Sequence, residues 1–120
     1  MAQVLTVDDS VSLRKLVAST LASAGHQVVE ASNGAEGLNA IKTRAFNLII
    51  SDLNMPVMDG LTFIKNVRVL AAYKFTPILV LTTEMDPVKK KAAKDSGATG
   101  WLVKPFDPEQ LLATIRKVLE

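Results

Sequence analysis

Asp52 ends the apolar run Leu48-Ile49-Ile50-Ser51, and the chain then breaks at Pro56 and Gly60. Taken alone, a carboxylate in that position reads as the cap of the next turn. Three other apolar runs end in a similar way: Val4 to Val7 in Asp8-Asp9, Ile78 to Leu81 in Thr82-Thr83, and Trp101 to Val103 in Lys104-Pro105. In an open parallel sheet the carboxyl ends of the strands share one edge, where ligands bind. Three acids, a hydroxyl and an ammonium then converge. Asp8, Asp9 and Asp52 so gathered repel one another unless a cation or a raised pKa relieves them. A divalent metal is the simplest relief. All-oxygen ligation without His or Cys suits Mg²⁺ or Mn²⁺ rather than zinc, with water and a backbone carbonyl near Asn54 completing an octahedron. Beside such a metal, Lys104 would neutralise a phosphoryl group. Asp52 would act as the nucleophile that forms an acyl phosphate, and Thr82 would donate a hydrogen bond to it. Structural alternatives stand beside these roles: Asp8 and Asp9 could favour the dipole of the first helix, and Lys104 could pair with a carboxylate.

The elements that must position these groups alternate along the chain. Leu48, Ile49 and Ile50 lack the alternation of a half-wet strand, so helices are expected on both faces of the sheet. Val4 to Val7 is the first strand, and Ser10 caps a helix with Leu13, Leu16, Val17, Thr20, Leu21 and Ala24 on one face, which Gly25 stops in a left-handed conformation. Gln27 to Ala31 is the second strand, and Asn33 caps a helix carrying Ala35, Leu38, Ile41 and Lys42; Asn47 to Ser51 follows as the third strand. Gly60 opens a helix with Leu61, Ile64, Val67 and Arg68, and Pro77 precedes the fourth strand. Asp86-Pro87 starts a helix that runs to Asp95 and ends at Gly97, and Thr99 to Val103 is the fifth strand. Asp107-Pro108-Glu109-Gln110 reads as a capping box before a last helix with Leu111, Leu112, Ile115, Val118 and Leu119. Five strands alternating with five helices through right-handed crossovers give a doubly wound (βα)5 three-layer sandwich. The second strand, read as the shortest, is placed at an edge, so the expected order is 2-1-3-4-5, that of flavodoxin-like parallel sheets.

Bulk properties exclude several classes of function. The 120 residues, 48% hydrophobic and 22% charged, fit one domain over residues 1–120. Fourteen basic against twelve acidic side chains leave a net charge of +2, too weak a bias to point to nucleic acid or a membrane surface. The absence of cysteine excludes disulfides and thiolate metal sites. With no signal-peptide pattern and no run of membrane-spanning length, a cytoplasmic, monomeric protein is expected. The one histidine, His26, follows Gly25 at the start of the second strand, the wrong end of the sheet for catalysis, and reads as a surface residue. Any phosphohistidine donor must belong to another protein or domain.

Taken together, Asp8-Asp9, Asp52 within Ser-Asp-Leu-Asn-Met-Pro-Val-Met-Asp-Gly, Thr82, and Trp101-Leu-Val-Lys104-Pro105-Phe106 closely resemble the receiver domain of two-component response regulators, in particular its single-domain CheY-like chemotaxis type. Each short motif is weak alone, and it is their joint order at strand ends, over the whole chain, that carries the resemblance. It implies that Asp52 is the phosphoacceptor, that Asp9 ligates Mg²⁺ directly with Asp8 acting through water, and that the Asn54 carbonyl is a further ligand. It also implies that Lys104 contacts the phosphoryl group, that Thr82 shifts toward it on activation, and that the Lys104-Pro105 bond is cis. Asn54 and Glu84 match positions that tune dephosphorylation. Trp101 stands where the family usually has Tyr or Phe reporting on Thr82.

On this reading the chain is not an enzyme in the ordinary sense. It catalyses its own phosphorylation and autodephosphorylation, takes its phosphoryl group from a histidine kinase, and signals through the fourth helix, fifth strand and fifth helix to a protein target, the flagellar motor switch being one candidate. The fourth helix carries Lys89, Lys90, Lys91 and Lys94, by default a solvated face. A phosphorelay intermediate, or a receiver cut from a larger regulator, is the alternative. A Mg²⁺-dependent phosphohydrolase would want a cap and a second acid where Asn54 stands. A flavodoxin-like cofactor binder would want Ser, Thr and Gly where Val7-Asp8-Asp9-Ser10 stands.

Overall fold

Leu48, Ile49 and Ile50 are all but completely buried, as a strand covered on both faces requires, and they lie at the centre of a five-stranded parallel sheet. The computed structural model describes residues 1–120. The strands are β1 (Gln3–Val7), β2 (Gln27–Ala31), β3 (Leu48–Ser51), β4 (Ile78–Thr82) and β5 (Gly100–Val103), in the order β2-β1-β3-β4-β5. The helices are α1 (Val11–Ser23), α2 (Gly34–Thr43), α3 (Gly60–Arg68), α4 (Pro87–Ser96) and α5 (Pro108–Leu119), with a 3₁₀ turn at Ala71–Tyr73 that the sequence pattern did not reveal. No helix is long and apolar enough to cross a membrane.

Alternation along each strand divides the core. Leu5, Val7, Ile49, Ile78 and Val80 pack against Ile41 of α2, Phe63, Ile64 and Val67 of α3, and Ala93 of α4. Val4, Leu48, Ile50, Leu79 and Leu81 face the other way, onto Val17 and Leu21 of α1 and Leu111 and Ile115 of α5. Full burial of a side chain such as Phe63 contributes about 1.5–3 kcal/mol. Helix starts are fixed by side-chain caps: Asn33 accepts from Glu36 N–H at 3.0 Å, Asp59 from Thr62 N–H at 2.8 Å and Asp86 from Val88 N–H at 2.9 Å. Gly25 and Gly97 take the left-handed conformation just after α1 and α4.

Several expectations need correction. β2 is at an edge, but at five residues it is longer than β3 and β5; what marks the edge is its exposed Gln27 and half-buried Glu30. Leu16 of α1 and its C-cap Ala24 are exposed, because the fully buried stripe of the helix is confined to Val17 and Leu21, which pack on Val4, Leu48 and Ile50. Asp107 caps α5 through Glu109 N–H at 3.2 Å without a reciprocal bond from Gln110. The closest thing to a capping box is at α2, where Glu36 Oε1 accepts from Ser32 N–H at 2.9 Å. His26 is half-buried, and its Nδ1 accepts a hydrogen bond from Ala2 N–H at 3.1 Å.

Arg68 is more than a surface residue closing α3. Its guanidinium donates twice to Gly97 O, at 3.1 and 2.8 Å, and to Tyr73 O and Thr76 O at 2.7 and 2.6 Å. No carboxylate joins it, and burial alone pulls its pKa down. One side chain thus ties α3 to the turn before β4 and to the C-cap of α4. Arg68→Met strands these carbonyls and is expected to lower unfolding free energy by about 1–3 kcal/mol in urea denaturation; a change below about 0.5 kcal/mol would show that water replaces the guanidinium.

His26 makes stability depend on pH in a defined direction. Burial, and after it the positive N-terminus, lowers its pKa below the ordinary value of 6.5. The unfolded chain therefore takes up this proton first, so the contribution is complete above about pH 6.5 and declines as pH falls below it. His26→Asn, which keeps an acceptor for Ala2 N–H, is expected to flatten the urea midpoint between about pH 5 and 6.5 relative to the parent chain; identical slopes would remove His26 as the cause.

Candidate functional site

The parallel arrangement brings the carboxyl ends of β1, β3, β4 and β5 side by side. The ladder continues one residue past the strands, with Asp52 N–H donating to Val7 O at 3.0 Å and Lys104 N–H to Thr82 O at 2.9 Å. Asp8, Asp52, Thr82 and Lys104 are thereby fixed along one edge by backbone bonds. The carboxylates of Asp8, Asp9 and Asp52 come together, with one oxygen of each within 4.8 Å of the others. The convergence expected from the strand ends is present.

Its electrostatics turn on Lys104. The ammonium lies 2.7 Å from Asp8 Oδ2 and 2.8 Å from Asp52 Oδ2, with only a tenth of the side chain exposed. Burial disfavours its charge, but the hydrogen bonds and charges of Asp52 and Asp8 outweigh that cost and raise its pKa. The structural alternative for Lys104, pairing with a carboxylate, is thus realised twice over. It also leaves the ammonium beside Asp52. The Asp52 Oδ1 atom accepts from Leu53 N–H at 2.7 Å and more weakly from Asn54 N–H at 3.4 Å, and Asp8 Oδ1 accepts from Ser10 N–H at 2.9 Å. Asp9 differs: it is exposed and outside every ion pair of the chain. An oxygen-only cluster of this kind, with one acid unpaired, has the chemistry of a hard divalent-cation site.

The loop after β3 is held tightly. Gly60 N–H donates to Leu53 O at 2.8 Å, and a Cβ on Gly60 would stand 2.2 Å from Asp52 O, so no larger residue fits without moving the Asp52 backbone. Val57, in the same loop, is 83% exposed and has φ of 68°. A β-branched residue there is strained, by about 1–3 kcal/mol. Arg14 of α1 donates to Asp8 O at 2.7 Å and to Glu30 Oε1 at 3.0 Å, bracing β1 where it delivers Asp8 and Asp9. Neither Val57 nor Arg14 is marked by its sequence context.

Thr82 is fully buried, and its Oγ1 accepts from Glu84 N–H at 3.2 Å. Trp101 pairs in register with Val80, which puts it on the same sheet face as Thr82, two residues back along the neighbouring strand. Lys104-Pro105 is cis. Asn54 is exposed at the mouth of the site and Glu84 is half-buried; Lys89 holds Glu84 at 2.9 Å, while Asn54 adds the least of the bonds that lower the Glu84 pKa. The lysines of α4 are not all simply solvated. Lys91 pairs with Asp95, the Lys90 ammonium lies 5.9 Å from the centre of the Trp101 ring, and Lys90, Lys91, Lys94 and Trp101 line a groove of about 570 Å³ between α4 and β5.

Comparison with known proteins agrees with this geometry. Residues 4–116 match the family described as response regulator receiver domain. A chemotaxis protein CheY homolog of Campylobacter jejuni is 36% identical over 119 residues, covering 98% of this chain and 92% of that protein. Among solved structures, Vibrio cholerae chemotaxis protein CheY4 superposes with a TM-score of 0.94 at 56% identity, over 98% of each chain. A CheY-like receiver domain protein of Methanospirillum hungatei superposes with a TM-score of 0.93 at 25% identity, over 99% of this chain and 94% of that one. With its fold, its acidic strand-end cluster and its sequence in agreement, the chain belongs to the response regulator receiver domain family.

Proposed function

We propose that residues 1–120 form a phosphoacceptor module of a two-component chemotaxis system, in which Asp52 takes a phosphoryl group from the phosphohistidine of a histidine kinase. The observation that carries this reading is the Lys104 ammonium poised between Asp8 and Asp52. An Asp52 oxygen attacks phosphorus and a new O–P bond forms as the N–P bond of the donor breaks. The electron pair returns to the imidazole nitrogen. Lys104 contacts the phosphoryl oxygens and offsets their charge, and the backbone bonds from Leu53 and Asn54 keep the carboxylate oriented.

Asp9, Asp52 and the Asn54 carbonyl would hold Mg²⁺, or Mn²⁺ in its place, with Asp8 acting through water; Asp9, exposed and outside every ion pair, is the carboxylate most open to a cation. Bound there, the cation would supply positive charge to the transferring phosphoryl oxygens. Autodephosphorylation reverses the outcome at the same atom: water attacks phosphorus, the Asp52 O–P bond breaks, and phosphate leaves. Asn54 and Glu84, at the mouth of the site, would set how readily water reaches it.

The signal then depends on Thr82. Its hydroxyl oxygen accepts from Glu84 N–H and keeps its own proton to donate to a phosphoryl oxygen, and as Thr82 turns toward that oxygen Trp101 follows into the space on the shared sheet face. The product is an altered surface of α4, β5 and α5, read by a protein target such as the flagellar motor switch, without nucleic acid or membrane contact and with the module monomeric in the cytoplasm. The chemotaxis assignment draws on the CheY relatives, and a phosphorelay intermediate is the second reading.

Trp101 is the only tryptophan, so its fluorescence reports on the site. Titration with Mg²⁺ and then with acetyl phosphate or beryllofluoride is expected to change its intensity in two steps, the second absent in Asp52→Asn. Intact mass is expected to show one phosphate on the parent chain. Phosphate on Asp52 with silent fluorescence would remove Trp101 from the switch; no phosphate at all would overturn the phosphoacceptor reading.

A further inference from the structure

One carboxylate ties the β4–α4 loop together. Glu84 Oε2 accepts from Met85 N–H at 3.2 Å and Asp86 N–H at 3.3 Å, while Oε1 takes the Lys89 ammonium at 2.9 Å. Its backbone N–H is bonded to Thr82 Oγ1. Glu84 therefore borders Thr82, two positions before it, at the edge of the sheet that carries Asp52. The Lys89 contact alone brings positive charge to it from α4. A lysine in the first turn of a helix opposes the helix dipole, and the charge of Lys89 is offset there chiefly by Glu84, then by Asp86 and Asp59. None of these residues is a strand-end group, and nothing in the phosphoryl chemistry above uses Lys89.

We infer that Lys89 is a positioning residue for phosphoryl transfer at Asp52: it fixes and neutralises the Glu84 carboxylate, which otherwise stands as a bare anion beside the path of an anionic phosphodonor. The inference rests on the phosphoacceptor reading and deepens it. Without Lys89, Glu84 keeps its two loop N–H bonds, so the loop persists, but its charge then acts unopposed on the incoming dianion. Because the Lys89 side chain is 48% exposed, solvent and salt screen the effect, and a moderate change in rate is expected rather than loss of function.

The test is the rate at which acetyl phosphate loads Asp52 at saturating Mg²⁺, followed by intact mass. In that step the P–O bond to acetate breaks, acetate leaves with the electron pair, and the Asp52 O–P bond forms. Lys89→Met is expected to slow loading about two- to fivefold at low salt. Lys89→Arg should restore the rate, and high salt should narrow the gap. In a Glu84→Gln background Lys89→Met should change nothing, since the anion it offsets is gone. Thermal midpoint and Mg²⁺ affinity should stay those of the parent chain. Equal rates for the parent chain and Lys89→Met, or an undiminished loss in the Glu84→Gln background, would overturn the role of Lys89 and leave the chemistry at Asp52 intact. A parent chain that takes no phosphate would overturn that chemistry, and the role of Lys89 with it.

Discussion

A single buried ammonium holds the carboxyl edge of the sheet in its present form. Asp8 and Asp52 are 4% and 7% exposed, and neither is free of the other's field. Two such carboxylates are tolerated together only with a cation between them, and the cost of removing that cation exceeds the value of the pair itself, because it leaves buried charge unpaired. Much of the local structure can be understood from this constraint. β5 must run parallel to β4 in a register that continues through Lys104 N–H to Thr82 O, so that the ammonium arrives opposite β1 and β3. Gly60 must lack a Cβ so that the Asp52 backbone can sit against the start of α3. Arg14 must hold the Asp8 carbonyl.

The same edge explains why a change of charge at Asp52 would be felt elsewhere. Thr82, Val80 and Trp101 share the sheet face that packs against α3 and α4. At its C-terminal end α4 is anchored through Gly97 O to an Arg68 guanidinium that also serves Tyr73 O and Thr76 O. At its N-terminal end Glu84 holds Lys89 through a partly exposed ion pair and Met85 and Asp86 N–H through its other oxygen. Exposed ion pairs are weak, whereas several hydrogen bonds to a charged group are not. On the proposed reading, Thr82 meets the N-terminal end of α4 through the Glu84 N–H it accepts from, so a rearrangement at Thr82 would reach the helix there.

The fold was legible because its signals are local. Apolar runs broken by polar strand ends, caps at Ser10, Asn33, Asp86 and Asp107, and glycines at positions 25 and 97 need no partner to be read. Asp8, Asp9, Asp52, Thr82 and Lys104 were legible for the same reason: topology alone puts strand ends together. What escaped depends on partners distant in sequence. The buried face of α1 is confined to Val17 and Leu21 and excludes Leu16, and which part of an apolar face meets the sheet is not carried by periodicity. His26 read as a surface residue until Ala2 N–H was beside it, and Arg68 read only as one more position of the third helix until Gly97 O, 29 residues later, closed on it. Lys89 was hidden within a run of lysines, and only the position of Glu84 separates it from the rest.

The two edges of the sheet also divide stability from chemistry. At the amino edge, polar side chains finish backbone groups: Tyr73 OH shares its proton between Ile41 O in the last turn of α2 and Arg44 O just after it, and accepts from Phe46 N–H, while Asn47 Oδ1 accepts from Gln3 N–H at 2.8 Å. At the carboxyl edge, charges face one another. This asymmetry follows from the direction of the chain. Every strand in a parallel α/β sheet leads into a helix N-terminus, so the positive ends of the helix dipoles surround the carboxyl edge. Anions are favoured at such an edge and cations opposed, which is why Asp8, Asp9 and Asp52 can gather there. A lysine in that field needs a specific carboxylate: Lys104 has two, and Lys89, in the first turn of α4, has Glu84.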